Sequence, residues 1–232
     1  MIFKDKILVL DGAMGTMIQK FGLSENDYRG DAFASCGKEL LGNNECLNLS
    51  RPDVIKAIHK EYISAGADII ETNTFSANRI SQAEYSCEDF AAQMAFAGAR
   101  IAREAADQAM NSGCSRKIWV AGSVGPTSKS LSLSPDASDP AFRAYSFEEI
   151  RNAYLEQIEG LVQGGVDIIL VETCFDALNV KAALSACQSH IPVIVSVSVG
   201  DRSGRTLTGQ TLEAFYTSVK HAGPLAFGLN CS

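Results

Sequence analysis

The chain has 232 residues, 46% of them hydrophobic, with only six prolines, the profile of one globular domain long enough to bury a substantial core. Its formal net charge of −7 argues against a nucleic-acid or anionic-membrane surface, since both attract basic patches. No run of about 18 apolar residues offers a bilayer span, and the Met1-Ile2-Phe3-Lys4-Asp5-Lys6 start lacks the pattern of a signal peptide, so a cytoplasmic setting is expected.

In chain order, Ile7 to Leu10 is the first short apolar run and ends in Asp11-Gly12. A long polar, glycine-containing stretch from Phe21 to Asn48 reads as a loop. Ser50 with Asp53 reads as a helix start ahead of Val54, Ile55, Ile58 and Tyr62, and Gly66 is placed to end that helix. Asp68 to Glu71 is the second strand, followed by Thr72, Asn73 and Thr74. Ser86 with Asp89 opens the next helix, whose apolar stripe is Phe90, Met94, Ile101 and Ala105. Ile118 to Ala121 is the third strand. Ser123 to Tyr145, with three prolines and many serines, reads as a second long loop.

Ser146 and Glu149 form a capping box ahead of Ile150, Tyr154, Ile158 and Leu161. Ile168 to Glu172 is the fourth strand, Asp176 starts a helix, Val193 to Val197 is the fifth strand, Thr211 starts a helix bearing Phe215 and Val219, and Leu225 to Leu229 is the sixth strand. The run from Gly66 to Thr72 is echoed from Gly165 to Thr173, as in a repeated helix-turn-strand unit. Short, continuous apolar strands alternating with helices imply βαβ units and a buried parallel sheet. Six strands suit a doubly wound sheet or an incomplete barrel, because a closed (β/α) barrel takes eight.

Polar residues collect at the strand ends: Asp11, Glu71, Asn73, Thr74, Glu172, Asn230 and Cys231. The carboxyl end of a parallel sheet is where such folds place their sites. Asp11-Gly12-Ala13-Met14-Gly15 has a glycine-rich turn but neither nucleotide-binding pattern. Its N–H groups suit a carboxylate, while Asp11 and Glu172 suit an ammonium, the two ends of an amino acid. The seven cysteines, at 36, 46, 87, 114, 174, 187 and 231, are widely spaced with no C-x-x-C pair, which suits reduced thiols. His59, His190 and His221 read as surface or capping residues. No Ser-His-Asp or Cys-His arrangement points to hydrolysis.

Several segments resemble one family. Leu10 to Met17 is similar to the opening motif of the homocysteine S-methyltransferases, Gly66 to Phe75 to their second-strand motif, and Gly228-Leu229-Asn230-Cys231 to their sixth-strand motif. Gly42 to Glu45, Gly122 to Thr127, Leu131 to Asp136 and Asp139 to Arg143 narrow the resemblance to the cobalamin-dependent methionine synthases. It implies a (β/α)8 TIM-type barrel, of which this chain carries six strands as a single domain over residues 1–232, cut short after the first zinc cysteine.

The reaction implied is methyl transfer to homocysteine, giving methionine. Methylcobalamin would be the donor, remethylated by methyltetrahydrofolate on separate cobalamin, folate and activation domains. Zinc, held in that family by three cysteines, would stabilise the substrate thiolate. Carried over, Cys231 is the first zinc ligand and catalytic residue, Asp11, Gly12 and Ala13 bind the amino-acid end, and Thr74 and Glu172 complete the substrate contacts. Asn73, Asn230 and Cys174 are not expected to contact substrate. With the other two zinc cysteines missing, these 232 residues are expected to be inactive alone. Rival readings are a betaine- or sulfonium-dependent homocysteine methyltransferase, a non-catalytic fragment, and a metal-free lyase. The last needs a strand-end lysine that the sequence does not offer.

Overall fold

The computed structural model describes residues 6–187, 191–200 and 202–231; His190 therefore lies outside the described residues. Two short helices, α1 (Met14–Gln19) and α2 (Glu25–Arg29), precede α3 (Leu47–Ser50) and α4 (Pro52–Ala65). Strand β1 (Ile69–Glu71) follows, then α5 (Arg79–Gln82), α6 (Ala91–Asn111) and β2 (Trp119–Val124). Helix α7 (Phe147–Gly164) leads to β3 (Ile168–Cys174), α8 (Ala177–Ala186) to β4 (Val193–Val197), and α9 (Leu212–Val219) to β5 (Ala226–Leu229).

The five strands form one parallel sheet in the order β1-β2-β3-β4-β5. That order decides between the two architectures left open by the strand count. A doubly wound sheet reverses its strand order at a switch point. Here each strand lies beside its predecessor, as in the wall of a (β/α) barrel, so the chain is an α/β fold forming part of a TIM-type ring. The expected first strand is reduced to a single parallel bridge between Leu10 and Ile69. It is reinforced by Asp68 and Ile69 N–H donating to the Val9 carbonyl and Asp11 N–H donating to that of Ile69.

Strand residues point alternately to the two faces of the sheet. Ile70, Val120, Ile169, Val171 and Val195 join the large core under the helices, whereas Ile69, Ala121, Ile168 and Leu170 form a small separate cluster on the opposite, inner face. Both faces are covered, which is why the strands read as unbroken apolar runs.

The capping box at Ser146 and Glu149 is present, with Ser146 N–H donating to Glu149 Oε2 at 2.7 Å. Asp176 and Thr211 cap α8 and α9 through their side chains. Gly66 and Gly165 end α4 and α7 at φ of 117° and 95°, a left-handed geometry that costs a glycine little. Two helix starts differ from expectation. Ser50 belongs to α3, and Arg51 precedes α4 with Pro52 at its first turn. Ser86 ends a 3₁₀ turn in the left-handed region, so α6 begins at Ala91. The stretch expected as a loop from Phe21 to Asn48 contains α2 and a 3₁₀ turn over Asn44–Cys46.

His59 corrects the surface reading more sharply. It is completely buried in α4 with neither ring nitrogen hydrogen-bonded, and burial depresses its pKa to about 4, so the imidazole is neutral. Ile55 lies one turn earlier, on the same buried face.

Helices α6 and α7 touch closely at Gly160 and Gly164. A Cβ on Gly164 would collide with Ala99 Cβ and stand 2.8 Å from the Phe96 carbonyl oxygen. Gly164→Ala gains about 1 kcal/mol of helix propensity but overpacks a tight contact at a cost of about 1–3 kcal/mol. The contact wins: urea unfolding of Gly164→Ala is expected to give a net loss of about 1 kcal/mol, and an unchanged midpoint would mean that the two helices part without cost.

Candidate active site

The carboxyl ends of the strands meet at a cavity of about 510 Å3, within the range of small-molecule sites. Its walls include Asp11, Glu71, Thr74, Glu172 and Cys231, and no Lys, Arg or His is among its lining residues. Asp11 is positioned by the Leu10–Ile69 bridge. Its Oδ2 accepts from Glu71 N–H at 3.0 Å, while Oδ1 is buried with no partner. Gly12 packs against Tyr62, whose hydroxyl lies 3.1 Å from where a Cβ would be and is hydrogen-bonded to the Ala13 carbonyl at 3.4 Å. The N–H groups of Gly12 and Ala13 donate to no acceptor among the described residues.

Thr74 is fully buried, and its hydroxyl is engaged by Thr72 Oγ1 at 2.6 Å and the Ser123 carbonyl at 2.8 Å. Its methyl group fills the space beside Gly98. Thr74 thus reaches the cavity as part of its wall, with its polar atom committed to protein. Asn73 is also committed, donating to the Asn44 carbonyl at 2.7 Å and to Asn48 at 3.0 Å.

Glu172 is held from two sides. Ser123 of β2 donates its hydroxyl to Oε1, and Asn230, just past β5, donates Nδ2 to Oε2 at 3.2 Å. Asn230 Oδ1 accepts from Thr173 N–H at 3.0 Å and from Ser196 of β4 at 2.9 Å. One amide thereby ties together the ends of β3, β4 and β5. The backbone is unusual at the same place: the register of β3 shifts between Val171 and Cys174, and Thr173 and Cys231 have φ of 55° and 50°. Non-glycine residues in the left-handed region are uncommon and concentrate at functional sites.

Cys231 is exposed on the cavity wall, 3.9 Å from Asn230 Nδ2. Cys174 is buried, donates to the Val171 carbonyl, and lines a separate small void, in line with a packing role. A zinc ion of the catalytic type takes three protein ligands and an open position. Among the described residues no group of three His, Cys, Asp or Glu is arranged to hold a metal. Cys231 is the lone thiol among this cavity's lining residues, so the residues present do not by themselves fit zinc.

The carboxylates are crowded. Burial, followed by the nearby Glu172 charge, pushes Asp11 up to about 7. Burial, followed by the charges of Glu172 and Asp11, pushes Glu71 up to about 9. Burial also raises Glu172. A bound cation would reverse this penalty, because it stabilises the ionised forms.

Glu71 and Ser123 are the site residues that the sequence places least well. Glu71 stands among the strand-end polar residues without a role, and Ser123 stands only at the start of a loop. That loop, though irregular, is densely bonded: Asp176 accepts from Ser130 and Ser132, and Arg143 donates to the carbonyls of Leu131 and Ser132.

An α/β barrel wall with a cation-seeking cavity at its carboxyl ends is the architecture of a small-molecule enzyme. The chain belongs to the homocysteine S-methyltransferase family, whose pattern it matches over residues 8–232. Among solved structures it is similar to the homocysteine methyltransferase MmuM from Escherichia coli. The metallated form superposes with a TM-score of 0.76 at 22% identity, covering 99% of this chain and 76% of that one. The oxidized form gives 0.75 at 21% identity over 100% and 75%, and the apo form 0.69 at 21% identity over 100% and 74%. At such identities the likeness establishes the fold. No helix among the described residues is long and apolar enough to cross a membrane.

Proposed function

We propose that this chain is the homocysteine-binding part of a methionine synthase, in which the homocysteine thiolate takes a methyl group from methylcobalamin. The observation that carries the reading is the cavity itself: Asp11, Glu71 and Glu172 surround it with no basic residue on its walls, and free N–H groups lie beside it at Gly12 and Ala13. A zwitterionic amino acid satisfies both halves. Its ammonium neutralises the buried carboxylates, and its carboxylate accepts from the 12–13 backbone. The side chain then extends toward Cys231. Thr74 acts at one remove, holding the Ser123 carbonyl on the strand whose hydroxyl orients Glu172.

In the reaction the homocysteine sulfur gives up its proton, its lone pair forms the new bond to the methyl carbon, and the donor leaves with the pair of the broken bond. Zinc, when bound, would supply stabilisation of that thiolate. In this reading Cys231 is one of three thiolate ligands, and the other two come from residues beyond these 232. The 232 residues alone are accordingly expected not to methylate homocysteine. The segments from Gly122 to Thr127 and Leu131 to Arg143 support cobalamin over a betaine or sulfonium donor, with methyltetrahydrofolate regenerating the cofactor on partner domains. The free thiols suit a cytoplasmic setting.

The deciding experiment measures zinc stoichiometry, with and without homocysteine, on these 232 residues and on a longer polypeptide that carries an adjacent cysteine pair. One zinc on the longer chain alone, lost on Cys231→Ser, is the expected result. A longer chain that holds no zinc would sink the metal assignment and leave Asp11 and Glu172 serving another ligand.

A further inference from the structure

Three of the seven cysteines gather in the turns between α2 and α6, at the margin of the main core. Cys36 Sγ lies 3.5 Å from Cys87 Sγ, although 51 positions separate them in the chain. Cys46 lies close enough to Cys87 to feel its charge. Cys36 is partly exposed, whereas Cys46 and Cys87 are buried. None of the three lines the candidate active site, and no metal-holding group exists among the described residues, so the family chemistry leaves them without a task.

The backbones on either side are already fixed to each other. Lys38 donates to the Glu84 carbonyl at 2.8 Å, Cys36 Sγ donates to the Ser86 carbonyl at 3.9 Å, and Phe33 packs edge-on against Phe90 with ring centroids 4.9 Å apart. Arg29 holds the Phe33, Cys36 and Lys38 carbonyls. Two sulfurs held at van der Waals separation on tethered backbones have only about 1.5 Å to close to reach the roughly 2 Å of a disulfide.

We propose that Cys36 and Cys87 form a thiol-oxidation site, in which a small-molecule disulfide converts the pair to an intramolecular disulfide. The exposed Cys36, as thiolate, attacks one sulfur of the oxidant, forming a mixed disulfide and expelling the other half as a thiolate. Cys87 then loses its proton to solvent and attacks the Cys36 sulfur, expelling the second half. Two protein thiols are oxidised, one disulfide is reduced to two thiols, and the two protons pass to the leaving sulfurs. The order follows from access. Burial, followed by the bond with Cys36, raises the Cys87 thiol to about 12, so it is the poor first nucleophile and becomes competent once Cys36 is derivatised beside it.

The staple would have a structural reach. The segment from 36 to 46 contains Asn44 and Glu45, which line the candidate cavity, and Asn43 pairs reciprocally with Gln82 at 2.8 and 3.1 Å. Oxidation therefore locks the strap on one wall of the site to the start of α6.

The test treats the folded 232-residue chain with oxidised glutathione, blocks remaining thiols with N-ethylmaleimide after denaturation, and maps peptides without reduction. The expected product is one cross-link joining the Cys36 and Cys87 peptides, reversed by dithiothreitol, with amide exchange over residues 36–46 slowed at least severalfold. The oxidised chain should also melt about 5 °C or more above the reduced one. Cys36→Ser, at a partly exposed position, should abolish the cross-link while the far-UV spectrum is retained. Stable glutathione on Cys36 with Cys87 still alkylatable, or a Cys46–Cys87 link in place of the expected one, would overturn the proposal.

Discussion

Glu172→Gln is expected to weaken binding of L-homocysteine by about 100-fold, a loss of about 2.7 kcal/mol, while leaving 4-mercaptobutyrate, which lacks the amine, bound as before. The substitution keeps the shape of the side chain but removes the charge; its single oxygen can still accept from Asn230, while the new NH2 group faces Ser123 Oγ, which turns to accept. What is lost is a charge-assisted bond to the ammonium in a largely desolvated site, among the stronger classes of polar contact. Calorimetric titration of both ligands checks it. Equal weakening of the two would mean that Glu172 shapes the cavity without reading the amine, and Asp11 and Glu71 would then have to do so.

The second large effect concerns pH. A carboxyl whose folded pKa lies above its unfolded value stabilises the fold only while protonated. That contribution is complete below the unfolded pKa and is lost as pH rises through the folded one. Asp11 rises from 3.8 to about 7 and Glu71 from 4.5 to about 9, so together they erode stability across the window from about pH 4 to pH 9. Glu71→Gln removes one buried acid without changing its shape. Urea unfolding is expected to find the variant about 4 kcal/mol more stable than the parent chain at pH 8 and within about 1 kcal/mol of it at pH 5. A variant less stable than the parent at pH 8 would show that Glu71 is held ionised by a partner that the unliganded cavity does not reveal. If an ammonium occupies the cavity as proposed, saturating homocysteine should shrink the difference at pH 8.

Much of the architecture is legible in the amino-acid sequence. Strand cores, caps at Ser146, Asp176 and Thr211, and helix stops at Gly66 and Gly165 each rest on local chemistry that survives folding. The choice between a doubly wound sheet and a barrel is not local, since it lies in which strands become neighbours, and only the family resemblance anticipates it. The shortfall at Ile7 to Leu10 has a plain cause: the run is apolar, but it pairs only at its end, where the backbone meets Asp68 and Ile69.

The site divides along the same line. Asp11, Glu172 and Cys231 stand at strand ends and announce themselves by being polar where the strand interior is not. Ser123 and Asn230 matter because cross-strand register brings them to Glu172, and no spacing within the chain encodes that meeting. His59 carries a readable signal. It sits four residues after Ile55 on a helix whose apolar spacing marks the buried face, and its polarity alone argues for the surface.

Asn230 has one more implication. The amide that steadies Glu172 is covalently adjacent to Cys231, so the brace behind the proposed amine-binding carboxylate and the thiol on the cavity wall are joined through one peptide bond. The cavity therefore works as a ruler for the distance between a nitrogen and a sulfur. Under the proposed function it rejects cysteine, one methylene shorter, because anchoring its amine would leave the thiol short of the reacting position.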